Sequence, residues 1–348
     1  MSAKVITVTQ DSAPTRLPVM ADVARLAGVS HQTVSRVLND HPNVAAPTRT
    51  RVLAAIRELN YRPNSAARAL ASKRSKTLGV VSFDTTLYGP ASMLYGIERA
   101  ARSADYFISI VSLSSMARRS VLEAVERLRE QAVEGIVVIA PQISASGVLA
   151  QAGDGVPLVG AGCGLTERVP LVAIDQRAGA AMATRHLLDL GHRTVHHVAG
   201  PASWLDATGR IAGWRSTLEG AGAPVPEPLS GDWSARSGFE LGQRIAADAE
   251  VTAVFCANDQ MTQGLLRALH EAGRRVPEDI SVVGFDDIPE AAYFIPPLTT
   301  VRQDFGELGR RALELLVARL AGNSGPPGQV LIQPELVVRA SARPVARA

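Results

Sequence analysis

The 348-residue chain predicts two fold classes in series: an all-α helix-turn-helix head, then a two-lobed α/β body. Three observations carry that prediction. Residues 20–39 read as two short amphipathic helices around a Gly-Val-Ser turn. Residues 1–76 hold 12 Lys/Arg against 4 Asp/Glu, and the rest hold 24 against 29, so a net +3 conceals a basic head on a mildly acidic body. Beyond residue 76, strand-like and helical runs alternate in two series of similar length, the signature of parallel sheets covered by helices.

In the head, MADVARLA sets Val23, Ala24 and Ala27 at one-face spacing. Gly28 tolerates the left-handed backbone of a tight turn, and Ser30 can cap the next helix by accepting a backbone N–H. HQTVSRVLN then turns Val34, Val37 and Leu38 inward and His31, Gln32, Ser35 and Arg36 outward. A Gln/Arg front on an apolar back suits the DNA major groove, where Arg pairs with guanine and Gln with adenine. An ordinary two-helix corner has the same apolar pattern, but the basic charge of this region favours phosphate binding. A basic head also suits an anionic membrane; however, the large apolar residues of a basic amphipathic anchor are missing.

A third helix follows, and Pro63 is expected to stop it. Asn64 can cap a further short helix, NSAARALAS, whose small residues permit close approach to a groove floor and whose one large apolar side chain is Leu70. So short a helix is marginal alone, which suits a segment ordered only when something packs on it; a plain linker is the alternative. The expected layout is a flexible tail over 1–18, the helix-turn-helix domain over 19–63, and a hinge helix and linker over 64–75. The body follows over 76–340. Its first lobe runs to about 174, its second from 175 to 300, and a return crossover and C-terminal segment from 301.

In the body, TLGVVSF, YFISIVS, GIVVIA and VPLVGAG are the first strands, with helices expected at 91–103 and 118–132 and a short one before the fourth strand. LVAI opens the second series, followed by a helix at 177–190, TVHHVAG, a helix at 209–218, AVFCA, a helix at 260–271 and ISVVGF. Facing lobes of this kind place a ligand cleft at the carboxyl ends of their strands. Polar and aromatic residues recur there: Asp175 after LVAI, Asn258 and Asp259 after AVFCA, Asp286 and Asp287 after ISVVGF, Arg210 near Trp214, and Trp233 in a GDWSARSGF loop. Bidentate Arg, Asp and Asn groups with a stacking aromatic suit a hydroxyl-dense ligand such as a sugar. Taken singly, each has an ordinary structural explanation, as a helix cap or a core residue.

Several classes are disfavoured. No apolar run approaches a membrane span, and the first 18 residues lack a signal-peptide core. Cys163 and Cys256 lack metal-ligand spacing and are expected as buried free thiols in the cytoplasm. No Gly-x-Gly-x-x-Gly or Walker motif indicates a nucleotide, so neither cofactor nor metal is expected. His192, His196 and His197 lack a carboxylate constellation, which leaves an enzyme a weak rival. A transport-type binding protein fits the body but not the basic head.

Taken together, DVARLAGVSHQTVSRVLN, TRTRVLAAIRELNYRPN, GDWSARSGF, ANDQM, DISVVGFDD and PPLTTVRQDFGELG resemble, in order, the lactose-repressor (LacI/GalR) family of bacterial transcription regulators over about residues 19–338. That resemblance implies a periplasmic-binding-protein-like (type I) effector domain and a homodimer on a palindromic operator. It implies that His31, Gln32 and Arg36 read bases and that Leu70 wedges into the minor groove; Ser30, Thr33, Ser35, Asn39, Asn64 and Ala67 complete the expected DNA-contacting set. It further implies that Arg210, Asn258 and Asp286 hold effector hydroxyls, that Trp233 and Phe305 form apolar walls, and that Gln303 lies beside them. Asp175 completes that set. The match is weaker in the first lobe, where Ile139 or Ala140 and Gly162 or a neighbour replace an Asn and an Asp of the family's eponymous member, so the effector sugar is left open. The chain ends SARPVARA without that member's leucine heptad, which predicts a dimer and not a tetramer. The implied function is a repressor of carbohydrate-utilisation genes released by a sugar or glycoside; a regulator using a sugar or nucleobase as corepressor is the alternative.

Overall fold

In the computed structural model, the described residues are 17–62, 74–113, 117–140, 155–162, 169–323 and 328–345. The chain divides into two units, Met1–Ser75 and Lys76–Ala348.

The first unit is built of α1 (Met20–Ala27), α2 (His31–Leu38) and α3 (Ala46–Glu58). The Asp22 carboxylate accepts the Val19 N–H at 3.0 Å to start α1, and Gly28 ends it at φ 64°. Ser30 Oγ accepts the Thr33 N–H at 3.2 Å, the cap that the sequence predicts. Val23, Ala27, Val34, Val37, Val52, Ala55 and Tyr61 form the small core. The terminator of α3 is Asn60, not Pro63: at φ 47° it lets the Tyr61 N–H reach the Ile56 carbonyl at 2.9 Å and turns Tyr61 into the core. The expected hinge helix, with Asn64, Ala67 and Leu70, lies outside the described residues.

The second unit holds two six-stranded sheets. The first contains β1 (Thr77–Phe83), β2 (Phe107–Leu113), β3 (Gly135–Ile139), β4 (Leu158–Ala161), β5 (Leu171–Ile174) and β11 (Gln329–Ile332), all parallel in the order β11-β5-β4-β3-β1-β2. The second contains β6 (His196–Ala199), β7 (Leu229–Ser230), β8 (Ala253–Cys256), β9 (Ser281–Asp286), β10 (Thr299–Arg302) and β12 (Glu335–Val337), in the order β12-β10-β9-β8-β6-β7. In this sheet β12 alone runs antiparallel, against β10.

Helices α4 (Tyr88–Ser103), α5 (Arg118–Glu130) and α10 (Phe305–Leu320) accompany the first sheet; α6 (Gln176–Asp189), α7 (Leu205–Gly220), α8 (Ala235–Ala246) and α9 (Asp259–Glu271) accompany the second. Buried strands read as unbroken apolar runs because both faces are covered, as in Val80, Val81, Ile136, Val137 and Val138. The edge strand β2 leaves Phe107 and Ile110 exposed.

One expectation needs correction. LVAI does not open the second series of strands: it is β5, paired with β4 and β11 in the first sheet, within the lobe boundary expected at about 174. Trp233 does stand in a bend, just before Ser234 caps α8 by accepting the Ser237 N–H at 3.1 Å. The chain therefore passes between the sheets three times: after β5, after β10 and after β11. The second passage brings α10 against α4 so closely that a Cβ on Gly96 would strike the Phe305 carbonyl. These passages join the sheets at one end and leave the carboxyl ends of their strands facing a shared cleft.

Candidate nucleic-acid interface and effector cleft

On the first unit, α2 presents His31, Gln32 and Arg36 to solvent, with Thr33 and Ser35 half-buried and Asn39 exposed at the helix end. Ser30 and Thr33 hydroxyls lie 2.9 Å apart, so the turn is fixed by its own side chains. Arg36 has no ion-pair partner among the described residues, which leaves its five donors for an external acceptor. A concavity runs from α2 to the first turn of α3, where Arg36, Asn43, Thr48 and Arg51 converge. No acidic residue occupies that first turn, and no side chain caps it. Two guanidiniums beside the Thr48 hydroxyl suit a phosphate. The sequence reading missed Arg51 and Thr48; their i, i+3 spacing at a helix start was the available signal.

In the second unit a cavity of about 80 Å³ opens at the strand ends. Arg210, Trp233, Asn258, Asp286 and Gln303 of the expected set line it. Arg210 is its organiser. Its Nε donates to Gln176 Oε1 at 2.8 Å, Nη1 donates to the Ala257 carbonyl, and Nη2 lies 3.7 Å from Asp286 Oδ1. The guanidinium also lies over the Phe285 ring at 3.9 Å and the Trp233 ring at 5.4 Å. Gln176 donates to Gln303 at 2.8 Å, and Gln303 donates to Asp286 at 2.6 Å, which closes a polar ring. Burial pushes the Asp286 carboxyl up to about 7 against the pull of Arg210 and Gln303. Asp286 also sits at φ 116°, a backbone that a non-glycine residue adopts at a cost of about 1–3 kcal/mol where its surroundings force it.

Asn258 is largely committed: its Oδ1 accepts the Met261 N–H and its amide donates to the Trp233 carbonyl and to Gln260, each at 3.0 Å. It positions Trp233, whose indole N–H is buried without a partner among the described residues. Two expected residues stand elsewhere. Asp175 caps α6, accepting the Ala178 N–H at 2.8 Å, and does not line the cavity; its neighbour Gln176 stands behind the lining and holds Arg210 and Gln303 in place. Phe305 lies behind the wall, edge-on to Tyr88 at 6.0 Å. Asp259 and Asp287 are structural: Asp259 accepts from the Ile288 N–H and Thr300, and Asp287 from Arg302 and Arg339.

Tyr88, Trp204 and Asp206 were not anticipated, yet all three line the cavity. Burial and the nearby Asp286 push the Tyr88 hydroxyl up. Trp204 lies 5.9 Å from Phe83 of β1 and edge-on to Trp233 at 5.7 Å, an aromatic series crossing from one lobe to the other. At Gly162, φ is 65° and a Cβ would meet Met93 Sδ at 3.0 Å, so a larger residue does not fit there unchanged. Among the described residues no histidine lines the cavity. His197 stacks on Phe255 at 4.6 Å and bonds its carbonyl, and burial lowers its pKa to about 4. Cys256 is buried and its thiol is pushed up to about 12, while Cys163 lies outside the described residues. No cluster of three metal-ligating side chains occurs, and no helix is long and apolar enough to cross a membrane, among the described residues.

A basic helix-turn-helix unit joined to a two-sheet ligand-binding body defines a ligand-responsive DNA-binding regulator. The comparisons agree. Residues 19–64 match the model of bacterial regulatory proteins of the lacI family, and residues 184–342 match the periplasmic binding protein-like domain. The lactose operon repressor of Escherichia coli (strain K12) is 38% identical over 327 residues, covering 91% of this chain and 89% of that protein. The crystal structure of the lac repressor dimer bound to operator and the anti-inducer ONPF superposes with a TM-score of 0.84 at 35% identity, covering 94% of this chain and 100% of that one. A complex of the transcriptional regulator CelR with cellobiose gives 0.69 at 32%, covering 93% and 100%. The chain belongs to the LacI family of bacterial transcriptional regulators.

Proposed function

We propose that the chain is a repressor of carbohydrate-utilisation genes whose homodimer binds a palindromic operator and releases it when a sugar or glycoside enters the cleft. The observation that carries this is the ring of Arg210, Gln176, Gln303 and Asp286, three of whose members line the cavity together with the edge-on pair Trp204 and Trp233. Planar bidentate groups flanked by aromatic faces recognise adjacent hydroxyls on an apolar ring. Two similar regulators, the lac repressor and CelR, are seen in complex with ONPF and with cellobiose respectively.

On DNA, Gln32 and Arg36 with His31 read base edges, and Ser30, Thr33, Ser35 and Asn39 fix the unit against the backbone. Segment 64–75, with Asn64, Ala67 and Leu70, acts as the hinge that orders in the minor groove. The ligand is bound and not turned over, and the protein works in the cytoplasm on the nucleoid. The test is an electrophoretic shift with palindromes selected from a random duplex library, repeated with mono- and disaccharides. One palindromic class, displaced by a sugar recovered unchanged, is expected. Equal, purely salt-governed binding to all duplexes sinks the regulator assignment.

A further inference from the structure

We infer that Asp206 makes this cleft selective for uncharged or amine-bearing ligands and excludes those carrying a carboxylate or phosphate; the inference rests on the carbohydrate reading above. Asp206 stands in the first turn of α7, four residues before Arg210, and lines the cavity. It accepts no hydrogen bond and makes no ion pair within 4.0 Å among the described residues, although Arg210 lies on the same helix. The reason is that Arg210 is already engaged by Gln176, the Ala257 carbonyl and Asp286. Asp206 therefore has no protein donor among the described residues, and its carboxyl is available to a ligand that supplies donors.

The charge balance follows from the lining. Arg210 is the cation that the cavity presents, and two carboxyl groups, Asp206 and Asp286, face it. Burial raises both carboxyl pKa values while Arg210 lowers them. A ligand rich in O–H or N–H donors favours their ionised forms, and the cavity then carries one excess negative charge. An anionic ligand meets a guanidinium whose charge Asp286 already offsets, and it must bring protons to two carboxylates to be admitted. Tyr88, Gln303, Gln260 and Asn258 supply no further cation. An ammonium, by contrast, finds an unpaired carboxylate beside the faces of Trp204 and Trp233, a favourable setting for a cation.

The experiment is isothermal titration of the full-length protein with a hexose panel in which each ring appears as methyl glycoside, 2-amino sugar, uronic acid and 6-phosphate. Neutral or amine forms of at least one ring are expected to bind, and its acid and phosphate to bind about tenfold more weakly or worse. Asp206→Asn is expected to close most of that gap, with Asp206→Ser as a second variant and the melting temperature of each reporting its fold. An acid or phosphate that binds wild-type protein as tightly as its neutral parent overturns the inference alone. So does a charge preference unchanged in both folded variants. If no sugar of any charge binds, the carbohydrate reading fails and this inference falls with it.

Discussion

The raised carboxyl of Asp286 has a cost that pH should reveal. Its side chain is only 6% exposed, and burial lifts its pKa from the ordinary carboxylate value of 3.8 to about 7. That difference of roughly three pH units corresponds to about 4 kcal/mol, at ~1.36 kcal/mol per unit. Between about pH 4 and 7 the folded protein holds a proton that the unfolded chain has released. Stability therefore falls as pH rises through that window and levels off above it. Asp286→Asn cannot titrate, so the wild-type stability minus that of the variant is expected to decline by up to ~4 kcal/mol from pH 4 to pH 7.5.

Urea denaturation of both proteins at matched ionic strength and protein concentration measures this difference directly. The measured slope includes a part from Asp259, whose carboxyl is pushed up by burial and by Asp286 and is relieved of the Asp286 contribution in the variant. Effector binding should run the other way: hydroxyl donors favour the carboxylate, so affinity is expected to rise with pH up to about 7 and then flatten. A stability difference independent of pH would falsify the assignment of Asp286 as a desolvated carboxyl.

Four other outcomes are expected. Arg36→Ala should lose ~1–3 kcal/mol of operator discrimination and relax preference at one base pair, read by competition binding with single-base operator variants; undiminished discrimination removes Arg36 from base reading. Leu70→Ala should reduce operator bending in gel-phasing assays while circular dichroism stays unchanged, and full bending in that variant refutes the wedge. Trp204→Ala, at a residue only 7% exposed, should cost ~3–5 kcal/mol in urea melts while admitting larger glycosides; an unchanged ligand-size limit excludes Trp204 as the barrier. Arg210→Ala should abolish effector-driven operator release and destabilise the fold by ~3–5 kcal/mol, because Asp286 loses its cation. A variant that still releases DNA on ligand addition refutes the role given to Arg210.

Local pattern made part of this molecule legible. The α1–Gly28–α2 unit needs only helical periodicity, a left-handed glycine and a capping serine, all of which lie within 20 residues. Sheet membership is another matter. LVAI looks the same whichever sheet it joins, and its place in the first sheet is decided by pairing with β4 on one side and, on the other, with Gln329–Ile332, more than 150 residues away in sequence. Asn258 and Asp286 follow from strand ends, because a parallel sheet gathers those ends by topology, whereas Gln303 comes only from the family resemblance and Arg210 stands inside α7. The choice between Asp175 and Gln176 turns on side-chain direction over a single residue, which no periodicity resolves. Asp206 and Arg210 do show i, i+4 spacing, but nothing local says that this face of α7 is the one turned to the cleft.

How a ligand could shift such a cleft is constrained by where its partners come from. A ligand moves an equilibrium only by binding one arrangement better than the other. The ring of Arg210, Gln176, Gln303 and Asp286 belongs to the second lobe and the segments that connect it, and it is complete by its own hydrogen bonds. Contacts to that ring are available however the first lobe is placed, so they supply affinity more than direction. The differential contribution must come from what the first lobe adds: Thr86 and Leu87 before α4, Tyr88 and the rest of its first turn, and the Phe83 ring on which Trp204 rests. A cavity of about 80 Å³ is small beside the roughly 300–1,000 Å³ of ligand sites, so a sugar ring has to part Trp204 from Phe83 or move the start of α4. The aromatic contact that fills the cleft is thus the element whose breaking couples ligand entry to lobe arrangement. Substitutions at Tyr88 or Phe83 should alter the extent of the response more than the affinity, and those in the polar ring the reverse.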